Sequence, residues 1–248
     1  MVGRKGRRVR IVITESLNDM RRNGDLYLVT GFPGFGAVGY IASKYIVEAL
    51  KLKRIGYIIT KYMPDIVSIE GERSFSFPHE IYSRESSGLV VIVNSVVPNI
   101  HERIEFAESI VSWSIENKVK EMILIGGLDP SVKRSQEDLL RWISNRWGKR
   151  ELKEPVMDRG LVIVGPLAIL LMFTEIMGQP ATVILPYAER ERPDPRAASV
   201  AVKKISEFLN VEIDVQDLIR HAETVEEIER KIREHIEVPE RRVTGYHM

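Results

Sequence analysis

Hydrophobic positions along this chain switch repeatedly between two periods. Short apolar or alternating runs bounded by turn residues read as strands, and apolar residues recurring at three and four positions read as helices. Residues 8–14 alternate toward an apolar strand, and residues 25–30 give a second one after the Asn23-Gly24 turn signal. A glycine-rich turn follows, Gly31-Phe32-Pro33-Gly34-Phe35-Gly36-Ala37-Val38-Gly39. It opens a helix to about Leu50, with Val38, Ile41, Ala42, Tyr45 and Ala49 on one face. Residues 54–60 read as a buried strand. Residues 65–70, 74–77, 80–82 and 89–94 carry further strand signals broken by Asp-type turns and Ser86-Ser87-Gly88, an antiparallel excursion.

Beyond it the spacing predicts a helix over 99–117, with Ile100, Ile104, Ala107, Ile110, Val111 and Ile115 placed for burial. A strand at 121–125 ends in Gly126-Gly127. A helix at 136–147, a buried strand at 161–164, a helix at 167–177, a strand at 182–185 and a helix at 195–209 complete the series. Strands and helices alternating with mostly short connections predict an α/β fold, a mainly parallel sheet covered by helices. Val225, Ile228, Ile232 and Ile236 then recur at helical spacing among charged residues, an amphipathic stripe that must cover its own domain or another subunit. After Pro239 no apolar periodicity remains. The expected organisation is a core over 1–209, a helical segment over 210–238 and a mobile tail over 239–248.

Composition narrows the class. Hydrophobic residues make up 44% and charged residues 29% of 248, enough to fill a core and inconsistent with general disorder. The absence of cysteine excludes disulfides, thiolate metal sites and cysteine nucleophiles. Only three glutamines stand among abundant Glu, Lys and Arg, the composition expected of a heat-adapted cytoplasmic protein. The 161–173 apolar run is interrupted by Gly165-Pro166 and is shorter than the roughly 20 residues of a membrane span. No signal peptide is expected, because Arg10 interrupts the only early apolar run. The net charge of +1 hides a basic start (Arg4, Lys5, Arg7, Arg8, Arg10) and ten acids against four bases between Glu212 and Glu240. The early arginines are not interleaved with aromatics, so a solubilising arm is expected and nucleic acid is not.

Chemistry-bearing motifs are few. Gly34-x-Gly36-x-x-Gly39 has the spacing of a dinucleotide fingerprint, but the next strand ends Ile59-Thr60-Lys61 without an acid for a ribose diol. No Gly-Lys-Ser/Thr follows either. Taken from its residues, the turn is open between a structural tight turn and a ligand or partner site. The histidines (His79, His101, His221, His235, His247) are scattered, and no Gly-x-Ser-x-Gly occurs. Asp129 is placed to make a turn or helix cap, and Asp194 to cap a helix that Pro195 begins. No catalytic residue, metal or cofactor is expected.

Several separated pieces agree with one family. Gly31–Gly39 followed by a helix, Gly71, Pro78-His79-Glu80-Ile81-Tyr82, Ile125-Gly126-Gly127-Leu128, Tyr187 and Pro193-Asp194-Pro195-Arg196-Ala197-Ala198 resemble the proteasome assembly chaperone family of the second type. The resemblance covers roughly residues 25–236. It implies a nucleoside-phosphorylase-like α/β fold, a homo-oligomer and binding rather than catalysis, with proteasome α subunits or a related protein as partner. Some archaeal members dock through a C-terminal hydrophobic–tyrosine–any-residue ending. Here the chain ends Gly245-Tyr246-His247-Met248, with the tyrosine third from the end, so Tyr246, His247 and Met248 are the expected partner-binding residues.

Overall fold

The computed structural model describes residues 9–72, 74–220 and 222. Among the described residues the elements are, in order, β1 (Val9–Ile13), β2 (Tyr27–Gly31), α1 (Val38–Ala49), β3 (Lys53–Thr60), β4 (Ser68–Gly71), β5 (Ser74–Ser76), β6 (His79–Ser83) and β7 (Leu89–Asn94). They continue with α2 (Arg103–Glu116), β8 (Glu121–Ile125), β9 (Leu140–Ser144), α3 (Pro166–Met177), β10 (Ala181–Pro186) and α4 (Pro195–Leu209). Eight strands make one mixed sheet in the order β1-β3-β6-β7-β2-β8-β10-β9, and β4 and β5 form a separate two-stranded ribbon. The centre, β7-β2-β8-β10, is parallel. The antiparallel excursion occupies one flank, and β9 closes the other antiparallel to β10.

Central strands in such a sheet are buried on both faces and therefore read as continuous apolar runs. Alternate residues nevertheless divide between two cores. Leu28, Val90, Ile92, Met122, Leu124 and Val183 meet α2 and α3 on one face. Val29, Val91, Ile123, Ile125 and Ile184 meet α1 and α4 on the other. The result is a three-layer α/β/α sandwich. Asn23 and Gly24 both take positive φ (51° and 82°) in a tight turn closed between Arg22 and Asp25, as the dipeptide predicts. Asp194 accepts a hydrogen bond from the Ala197 N–H with Pro195 in the first turn of α4, also as expected.

Three expectations are corrected. Residues 136–147 are not a helix: β9 runs through Leu140–Ser144, with Leu140 and Trp142 on the α4 side and Arg141 and Ile143 on the other. Spacing among Leu139, Leu140, Ile143 and Trp147 mimics a helical period, but pairing with β10 satisfies the backbone and prevails. Residues 161–164 are not a buried strand; they run straight and, among the described residues, unpaired, with Val162 76% and Val164 62% exposed. On α2, Ala107, Ile110 and Val111 are buried, whereas Ile100, Ile104 and Ile115 are exposed. Ile100 precedes the helix altogether. The basic residues Arg4, Lys5, Arg7 and Arg8, the stripe Val225, Ile228, Ile232 and Ile236, and the end Tyr246-His247-Met248 lie outside the described residues.

Candidate functional site

The glycine turn connects β2 to α1 at the C-terminal edge of the parallel strands, and packing accounts for most of its glycines. A Cβ on Gly31 would lie 2.5 Å from the Gly39 Cα and 2.7 Å from the Ile125 carbonyl oxygen. One on Gly39 would lie 2.6 Å from the Phe32 nitrogen. The backbones of β2, α1 and β8 thus meet directly, and only glycine permits that approach. Gly36 has φ +58°, and a Cβ there would meet the Cβ atoms of Ala188 and Asp194 at 2.8 and 2.9 Å. The Asp194 N–H donates to the Gly36 carbonyl at 2.8 Å. The same aspartate caps α4, so the turn and the start of α4 are one joined unit. Gly34 differs: it is exposed and has nothing within 4 Å of a Cβ.

A cleft of about 570 Å³ opens beside Gly34. One wall is residues 32–35, the floor is the end of β8 with Gly126 and Gly127, and the far wall is residues 160–167. Its position follows from topology. β2 passes into α1 on one face, whereas the chain after β8 returns through residues 160–167 into α3 on the other. Adjacent strands whose connections leave toward opposite faces create a crevice at their carboxyl ends, where α/β proteins hold ligands. The lining here is mainly apolar. Its charged groups are Asp129 and Arg190, and the Arg190 guanidinium lies 5.1 Å from the Phe35 ring centre. Asp129 accepts from the Ser131 N–H at 2.8 Å, the expected capping role, and this bond holds its carboxyl below the usual range.

Two buried polar clusters support these strand ends, and neither was evident in the sequence. His79 donates from Nδ1 to Asn94 Oδ1 at 2.8 Å, since the Asn94 amide donates to Thr30 Oγ1 at 3.0 Å and to the Gly31 carbonyl at 2.9 Å. Asn94 thereby fixes the residue from which the glycine turn departs. His79 is 1% exposed, packs on the Phe106 ring, and burial lowers its imidazole to about 4, keeping it neutral. In the second cluster Arg141, 1% exposed, donates from Nη1 to Asp138 at 2.6 Å, and Asp138 also accepts from the Tyr187 hydroxyl at 3.0 Å. Burial, then this bond, pushes the Tyr187 phenol up to about 12. Polar residues closing or interrupting apolar runs, Asn94 after Leu89–Val93 and Arg141 between Leu140 and Trp142, were the available signals. Among the described residues, no group of three or more His, Asp or Glu is placed to hold a metal ion, and no helix is long and apolar enough to cross a membrane.

Residues 28–233 match the model of the PAC2 family. An uncharacterized protein of Methanocaldococcus jannaschii is 24% identical over 228 residues, covering 90% of this chain and 88% of its own. The fold is shared with Pyrococcus furiosus PbaB, described as an archaeal proteasome activator, at 22% identity and TM-score 0.76 over 92% of this chain and 100% of that one. It is shared equally with P. furiosus PbaA, described as an archaeal homolog of proteasome-assembly chaperone, at 24% identity and TM-score 0.76 over 92% and 93%. On the match to the family model over most of its length, this chain belongs to the PAC2 family, whose members include the proteasome assembly chaperone homologues that its sequence resembles.

Proposed function

We propose that this chain is a non-catalytic, homo-oligomeric binding protein of the cytoplasm that acts on the proteasome as an assembly chaperone or activator. The observation that carries this reading is the fold shared with PbaB and PbaA over nine-tenths of the chain, within one family. It is supported by the glycine turn, whose space at Gly31, Gly36 and Gly39 is taken by the protein's own backbone and side chains. In this reading Tyr246, His247 and Met248 dock on a proteasome α subunit, and Val225, Ile228, Ile232 and Ile236 brace the oligomer. A single flexible end binds weakly, because ordering it costs entropy, and several ends on one oligomer bind well through effective concentration.

The test is capture of proteasome α subunits by the intact chain, by a chain ending at Gly245 and by Tyr246→Ala. Loss in both variants with unchanged oligomer mass is expected. Equal capture by all three would assign docking to the folded body, and no capture by any would overturn the proteasome reading. The second reading, a nucleotide or phosphate held at Gly34–Gly39, draws on the position of the cleft at the strand ends. ATP, NAD and inorganic phosphate are expected to leave the melting temperature unchanged; a saturable rise with any of them would favour the second reading.

A further inference from the structure

Residues 161–164, Leu-Val-Ile-Val, have the composition of a strand and, among the described residues, no strand partner. They pass without turn or bend between Gly160 (φ +91°) and Gly165 (φ +76°). Their exposure alternates: Leu161 and Ile163 are half-buried, Ile163 against the α2–α3 core, whereas Val162 and Val164 project into solvent. The Leu161 N–H donates to the Asp158 carbonyl, but among the described residues no hydrogen bond involves the backbone of Val162, Ile163 or Val164. Period-two side chains with an unused row of donors and acceptors define an edge strand.

Folded proteins usually blunt such an edge with a lysine, a proline or a bulge, because it otherwise pairs with another chain. Val162–Val164 contains neither a lysine nor a proline, and the nearest proline, Pro166, already belongs to α3. From Gly160 to Thr174 the sequence contains no ionisable residue, and α3, which follows at once, also exposes Met172.

We propose that Val162–Val164 pairs antiparallel with the same segment of a second copy, about a two-fold axis at Ile163. A short strand centred on one residue is complementary to itself: Val162 of each copy faces Val164 of the other, and about four N–H···O=C bonds form across the axis. The outward valines of both copies then share one side as cross-strand apolar pairs. A second copy also suits the absence of charge, since nothing on this surface repels an identical one or selects a charged partner. Residues 160–167 form the far wall of the cleft, so the second copy's strand extends that wall and the cleft is complete only in the pair. The inference does not rest on the proteasome reading, and it assigns subunit contact to residues other than Val225, Ile228, Ile232 and Ile236.

The experiment is light scattering on the full chain and on Val162→Lys/Val164→Lys. Both valines are largely exposed, so the variant is expected to keep the native circular dichroism spectrum and melting profile. The native mass is expected to be an even multiple of 28.4 kDa, and the variant's to be half of it. A monomeric native chain, or a variant that keeps the native mass, would overturn the proposal. Because the chain has no cysteine, a second arm covers misfolding of the double variant. Val162→Cys and Val164→Cys chains, co-expressed and mildly oxidised, are expected to form a mixed disulfide dimer far more abundantly than either chain alone. Equal yields in all three preparations would equally sink it.

Discussion

Replacing Gly36 by alanine tests whether the glycine turn is a packing junction. Alanine at φ +58° occupies the left-handed region at a cost of about 1 kcal/mol. Its methyl group would also stand 2.8 Å from the Ala188 Cβ and 2.9 Å from the Asp194 Cβ, closer than carbon atoms tolerate. Neither neighbour can swing away, because each atom is anchored to backbone, and the Asp194 backbone is held by the hydrogen bond its N–H donates to the Gly36 carbonyl. Overpacking of this kind costs about 1–3 kcal/mol. The sum is a destabilisation of about 2–4 kcal/mol, or a fall in Tm of about 5–15 °C for a chain of this size. Gly34→Ala supplies the control, since its φ is −120° and nothing lies within 4 Å of its Cβ; a change of less than about 0.5 kcal/mol is expected. Urea unfolding of the three proteins measures both. Equal stability of Gly36→Ala and the native chain, or an equal loss in Gly34→Ala, would refute the assignment of packing to Gly36 and openness to Gly34.

Two further outcomes follow from the buried clusters. Above pH 6.5 His79 is neutral in both the folded and the unfolded chain. Between pH 6.5 and about 4 the unfolded chain takes up a proton that the folded one does not, so stability falls with pH by up to about 3 kcal/mol; urea titrations should show that slope shrinking in His79→Gln, and an NMR titration midpoint near 6.5 would contradict it. Arg141→Met leaves the Asp138 carboxylate buried without its cation and should destabilise by about 3 kcal/mol in urea unfolding. Adding Asp138→Leu should recover part of that loss, and a fully additive further loss would argue that the pair is not coupled.

The order of strands and helices was legible because nearly every central strand is a continuous apolar run with turn residues at both ends. Local chemistry was legible too: Asn23-Gly24 closes a turn and Asp194-Pro195 starts α4, since both depend on neighbours within three residues. The errors arose where a remote partner decides. Residues 136–147 fit a helical period, and only the edge of β10 selects the strand. Residues 161–164 have β-forming side chains, but strand identity needs a neighbour, and none stands beside them among the described residues. His79, Asn94, Asp138 and Arg141 became recognisable as clusters only once the sheet brought distant segments together. For the glycine turn the motif was visible and its use was not, because the atoms that fill the space at Gly36 come from Ala188 and Asp194 near the opposite end of the core.

The Gly36–Asp194 hydrogen bond therefore has a kinetic meaning. It joins the first crossover helix to the last, so the turn cannot reach its final conformation during synthesis until α4 has been made. The central strand β2 is also made before both of its neighbours, β7 and β8, and each contact closes a long loop. Long-range parallel pairing slows folding and leaves apolar strands exposed while it proceeds. Six of the eight sheet strands exist once β8 has been made, but β10 and α4 belong to the last third of the chain, and until they emerge β8 keeps a bare edge and the glycine turn lacks its lock.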